Sequence, residues 1–277
     1  MSNILPIKYL AILMLVPFFT ECQPKDEARA TMLVRDAHVL VDNGQWNSAQ
    51  LLLDSVHRTY PKQVQQRRMA KALQDSITYL QAQQTLTYSD SLLQTLLPKV
   101  DALLKDFRYE KNEQYEDHGR YVHRLLSTGS NTSRNFLQAY VSDDRVTTVK
   151  SYYYGATRVD QSAITLAANT ETARFSGANH TFEAAGWHDI MTIDDAPALE
   201  LLNFVNTHTA DRMRVHGEGK NGTSAWTYYL TDKEKTALSR TYELGFLMKD
   251  IRLLEQHINL STAQIERYEK NHSTQKD

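Results

Sequence analysis

With one cysteine, ten glycines and six prolines in 277 residues, the chain is poor in the residues that define several protein classes. Cys22, the single thiol, has no partner within the chain, which excludes a disulfide-stapled scaffold. So little glycine and proline excludes a low-complexity linker protein. Thirty-one basic residues against 33 acidic ones give a net charge of −2. There is no basic excess to neutralise a phosphate backbone, so nucleic acid is not an expected partner. Apolar runs are also short, and none approaches the roughly 18 residues a membrane-spanning helix needs. The longest runs from Tyr9 to Phe19, after a basic Lys8 and before the polar Thr20, Glu21 and Cys22. A basic start, a short apolar core and a polar exit make a secretory signal, and the chain is expected outside the cytoplasm.

Phe19, Thr20, Glu21 and Cys22 resemble a bacterial lipobox, in which the cysteine is lipidated and becomes the first mature residue. Glu21 departs from that pattern, which prefers a small residue there. Ordinary cleavage after the small residues Ala28 and Ala30 is the alternative, but that site lies far from the apolar run. An uncleaved anchor is the third. Removing residues 1–22 takes away one base, Lys8, and one acid, Glu21, so the net charge stays at −2. The polar, acidic stretch 23–30 then acts as a tether. It is similar to the segment that follows the cysteine in surface lipoproteins of the Bacteroidota. That resemblance implies an envelope lipoprotein held in the outer membrane through Cys22, with the bilayer as one partner and a protein or glycan as another.

Residues 28–60 read as a helical hairpin. Leu33, Ala37, Gly44, Trp46, Ala49, Val56 and Pro61 stand at the offsets of a tetratricopeptide unit, and the stretch resembles one such unit. Gly44 closes the first helix, Trp46 wedges between the two, Ala49 lets them approach, and Pro61 starts the next helix. No second copy follows at that period, so a packing element is expected instead of an array with a peptide groove.

Leu86, Ser89, Leu93, Leu96, Val100, Leu103 and Phe107 alternate in three- and four-residue steps, a heptad seam with one polar gap. Pro98, inside it, is expected to kink or restart the helix. Leu244, Leu247, Ile251, Leu254, Ile258, Ser261, Ile265 and Tyr268 repeat the alternation. A helix from Asp232 to Lys270 would be on the order of 55 Å long. Between the two seams the period changes. Residues 136–141, 146–154, 163–166, 172–175, 181–183, 187–193, 212–216 and 225–230 carry the β-branched and aromatic content of strands, and 197–208 reads as a helix. The expected fold class is α+β, a long antiparallel, coiled-coil-like helical pair with an inserted antiparallel β-rich domain and an N-terminal helical hairpin. Its divisions are a signal over 1–22, a tether over 23–30, a helical region over 31–127, a β-rich domain over 128–231, and a helix over 232–277 packing on 61–107.

Gly217, Gly219 and Gly222 form a literal G-x-G-x-x-G, yet a strand follows it where a dinucleotide site needs a helix. Asn221 and Gly222 instead give the signal of a tight hairpin. His118 and His123 are five residues apart, which puts them on different helix faces, and with Glu116 or Asp117 they make no metal motif. Binding by His180 and His188 would need the sheet to bring them together. No catalytic residues, cofactor or metal ligands are assigned. A candidate ligand face for a glycan or peptide comes from strand alternation, which places Tyr152 with Tyr154 and Trp226 with Tyr228. The competing reading of these four is the apolar side of a half-buried sheet. Ser55, Ser76 and Ser91 each lie between an aspartate and an aliphatic residue. That tripeptide resembles the O-glycosylation signal of exported Bacteroidota proteins and implies surface modification. The expected role is binding or scaffolding in the cell envelope without catalysis. An extracytoplasmic glycan- or peptide-binding module using the aromatic sheet residues is the first alternative, and a carboxylate-dependent hydrolase assembled by folding is the second.

Overall fold

The structure is a computed structural model, and it describes residues 23–126, 133–220 and 224–273. The expected signal segment with Cys22, and the expected turn at Asn221 and Gly222, lie outside the described residues. The fold is mixed α+β, with helices and two antiparallel sheets. The described residues divide into two compact units, one of those up to 84 together with those from 263 on, and one of those between 85 and 262.

In the first unit, α1 (Gln23–Asp42) and α2 (Trp46–Thr59) are joined by a tight turn. The turn is a Schellman stop, in which Gly44 N–H donates to Val41 O at 2.9 Å and Gln45 N–H to Leu40 O at 2.8 Å. Gly44 has φ +72°, a conformation that only glycine takes without strain. Ala37, Ala49, Leu53 and Val56 are fully buried together, with Trp46 packed against them. Pro61 does not start the next helix. It sits in the turn before α3 (Val64–Leu104), which begins three residues later. At the other end of the chain, Tyr268 of α5 (Asp232–Ser273) stacks on Tyr79 with ring centroids 4.4 Å apart and is hydrogen-bonded to Ser76.

In the second unit, Leu96 and Val100 of α3 are buried with Leu244, Met248, Ile251 and Leu254 of α5. Pro98 does not interrupt α3, which continues through it to Leu104. Phe107 is not a helical residue. It opens β1 (Phe107–Glu110), which pairs with β2 (Arg120–His123). Both strands fall in the stretch expected to be helical, so the sheet starts before residue 128. The six-stranded sheet runs β1-β2-β3-β4-β8-β7 and the four-stranded one β10-β9-β5-β6. Here β3 is Phe136–Ser142, β4 Thr147–Gly155, β5 Gln161–Ala168, β6 Glu171–Ser176, β7 Ala178–Glu183, β8 Trp187–Asp194, β9 Met213–Gly219 and β10 Ser224–Tyr229.

Alternation then decides which side chains meet. Leu137, Val149 and Met191 of the larger sheet share one core with Ile164, Leu166 and Val215 of the smaller. Leu201 and Leu202 of α4 (Asp195–Thr207) complete it. Each such side chain contributes about 1.5–3 kcal/mol by leaving water. Thr231 caps α5 in a reciprocal box. Its hydroxyl accepts the Glu234 N–H at 3.2 Å, and the Glu234 carboxylate accepts the Thr231 N–H at 2.8 Å. Gly245 lets α5 approach β4, since a Cβ there would lie 2.4 Å from Thr147 Oγ1.

Candidate functional site

The other face of the six-stranded sheet carries a concavity of about 560 Å³, within the usual size range of ligand sites. Its floor is set by strand register. Phe136 lies opposite Tyr152, and Tyr152 opposite Ile190. One row along, Gln138 faces Lys150. One row the other way, Tyr154 faces His188, and His188 faces Phe182.

The rings pack as a platform. Phe136 and Tyr152 are stacked at 4.3 Å, and Phe182 and His188 at 4.8 Å. Tyr152 donates its hydroxyl to Gln138 Oε1 at 3.1 Å. Burial, helped by the neighbouring Tyr140, pushes the Tyr152 phenol above its ordinary pKa, so it remains a neutral donor. Tyr154 donates to Ala185 O at 2.9 Å. This bond ties it to the β7–β8 turn, where Ala185 has φ +55° and Gly186 φ +140°. Left-handed backbone costs a residue like Ala185 about 1–2 kcal/mol, and the tyrosine hydroxyl helps to hold it. A Cβ at Gly186 would lie 2.8 Å from the Tyr154 ring, so the glycine also makes room for it.

Three cations line the same concavity, Arg120, Arg134 and Lys150. Arg120 is engaged by Glu116 at 2.8 Å and Glu110 at 3.5 Å. Arg134 lies 3.6 Å from Glu234. Lys150 stands over the Tyr140 ring at 5.6 Å, the same distance at which Arg120 approaches it.

Tyr152 and Tyr154 are therefore together on the open face, whereas Trp226 and Tyr228 are not part of it. Those two belong to the smaller sheet, stack on each other at 5.7 Å, and face the shared core. Trp226 is 7% exposed, and burial pushes the Tyr228 phenol well above its usual range. Their half of the expected ligand face is corrected to core packing, because in β10 the even-numbered side chains are the inward ones. Gly217, in register with Trp226, lies under its indole. His180 and His188 do share the open face, but each packs beside Phe182.

His118 and His123 are separated by burial as well as by spacing. His123 is buried in β2 and accepts the Leu125 N–H on Nδ1 at 3.2 Å. His118 is exposed and meets Asp143 at 2.9 Å, with Asp144 close by. That cluster organises the β3–β4 turn, since Asp143 also accepts the Gly119 N–H at 3.0 Å and the Tyr109 hydroxyl at 2.9 Å. The Gly119 bond, then Tyr109 and His118, hold the Asp143 carboxyl below its ordinary pKa. Ser55, Ser76 and Ser91 all lie within α2 and α3. Ser55 and Ser76 donate to the carbonyls of Leu51 and Ala72, four residues back.

Lys150, Gln138, Phe136 and Phe182 were not singled out by the sequence. Alternation along 136–140 and 150–154 places the first three beside the tyrosines. Nothing local, however, says that β7 will lie next to β8 and bring Phe182. Comparison with family models, with curated proteins and with solved structures finds no match.

Proposed function

We propose that the chain is an exported lipoprotein of the cell envelope, anchored through Cys22, that binds a ligand on the open face of its larger sheet without catalysis. The observation that carries the binding role is the concavity built from Phe136, Tyr152, Tyr154 and His188 beside Lys150. Rings, cations and an amide hold a ligand in place. Among the described residues of that lining there is no carboxylate, and its imidazole, His188, is stacked on Phe182 and hydrogen-bonded to Ala184 O at 3.0 Å. The anchor rests on the apolar run that ends at the only thiol. In this reading α1 and α2 are a single tetratricopeptide-like hairpin, supported by the Gly44 turn and the burial of Ala37 and Ala49. The seams of α3 and α5 form an antiparallel, coiled-coil-like stem, supported by the shared burial of Val100 with Leu244 and Ile251.

One preparation tests both parts. Full-length protein made in a bacterial host should enter the detergent phase, and Cys22→Ala should stay in the aqueous phase. The same detergent-solubilised protein, applied to glycan and peptide arrays, should give signals that Tyr152→Ala with Tyr154→Ala abolishes. Two aqueous forms would overturn the anchor. Arrays without any signal that depends on those tyrosines would overturn the binding role.

A further inference from the structure

We infer that the groove binds a sugar carrying an anionic group, with its ring on the aromatic end and its charge at Lys150. This rests on the binding role proposed above and adds the class of ligand. The first reason is position. β3, β4 and β8 are interior strands, paired on both sides, so the sheet ladder occupies their backbone groups. A peptide read as an added strand would dock along the outer edge of β7 and not over this floor, so recognition on the floor falls to side chains.

The second reason is the order of those side chains. Tyr154, Tyr152 and Lys150 succeed one another on one face of β4 at intervals of about 7 Å, and Phe136 then Gln138 follow in register on β3. A ring platform thus adjoins a cation at about the length of one sugar residue. Sugar rings present C–H faces to aromatic rings, and a carboxylate or sulfate on the same ring would reach the ammonium.

The third reason is an unbalanced donor set. Arg120 has its carboxylates, whereas Lys150 meets no carboxylate within 4 Å among the described residues and acts on Glu116 only from farther away. Gln138 is 7% exposed, and its oxygen takes the Tyr152 hydroxyl. Its amide N–H groups make no hydrogen bond among the described residues. An amide donor beside an ammonium with no carboxylate at contact distance suits a carboxylate or sulfate, which forms strong charge-assisted bonds with both.

Calorimetry on the detergent-solubilised full chain tests this with three probes, hexagalacturonate, a sulfated galactohexaose and uncharged galactohexaose. At least one acidic probe should bind tenfold or more tighter than the uncharged one. Lys150→Met should remove that preference and Lys150→Arg should keep it, with both variants melting as the parent does. If Lys150→Met fails to fold, Lys150→Gln takes its place. Equal affinity for all three probes, a preference that survives loss of the ammonium, or no binding of any probe would overturn the inference. So would displacement of a bound acidic sugar by an acidic peptide of higher affinity. An array ligand of another class that depends on Tyr152 and Tyr154 would sink this inference and leave the binding role standing.

Discussion

Gly217 of β9 lies in register with Trp226 of the neighbouring strand. In the sequence it opens a glycine motif that suggests phosphate. In the fold it is a strand residue whose missing side chain leaves room for an indole, since a Cβ there would lie 2.2 Å from Trp226. Gly217→Val should therefore destabilise the protein by about 1–3 kcal/mol through overpacking, read as a lower midpoint in urea. Millimolar nucleotide should leave the parent's melting temperature unchanged. A nucleotide-dependent rise would restore the phosphate reading. Trp226 and Tyr228 carry the same lesson in reverse, because an aromatic pair at alternate positions is compatible with either face of a sheet.

At the scale of elements, the seams of α3 and α5 supply the plainest test. Ile251 is 2% exposed, buried with Leu96, Val100 and Leu254. Ile251→Asp places an unpaired charge there and should cost about 3–5 kcal/mol. An unchanged melting temperature would mean that this face of α5 is solvated. The polar gaps of the two seams, Ser89 and Ser261, are also buried, at 1% and 4% exposure. Their periodicity was legible because a helix repeats its contacts every three to four residues. β1 and β2 were not. They are four residues each and lie in a polar, tyrosine-rich stretch, too short for alternation to declare itself.

For the molecule as a whole, stability should fall in two stages on acidification. Burial holds the His123 imidazole below its ordinary pKa. The unfolded chain takes up that proton near pH 6.5 while the folded one does not, so stability is lost as pH drops below about 6.5. Carboxyls are also depressed in the fold. The Asn112 N–H acts on Glu116, the Gly119 N–H on Asp143, and the Arg158 and Arg174 side chains on Asp160 and Glu218. Their contribution is present above pH 4 and is lost as pH falls through about 4 and below. Denaturant melts across pH 3–8 should show both stages, and His123→Gln should remove only the upper one. A flat profile down to pH 3 would contradict both assignments.

Local patterning along the chain was enough for the α+β class, the long helices at either end of the β-rich region and eight of the ten described strands, because helical and strand periods are local properties. It also determined that Tyr152 and Tyr154 share a face, since alternation follows from the pleat. Which face of each strand is buried follows from the packing of the two sheets and not from the strands' own residues. Trp226 and Tyr228 lie inward because their sheet packs its even-numbered β10 side chains on a core shared with the other sheet. Tyr152 and Tyr154 lie outward because Val149, Tyr153 and Met191 supply the inner side of theirs. The groove likewise depends on β7, β8 and β4 lying side by side. A strand carries its period in its own residues, but its neighbours are chosen by the burial of the whole molecule.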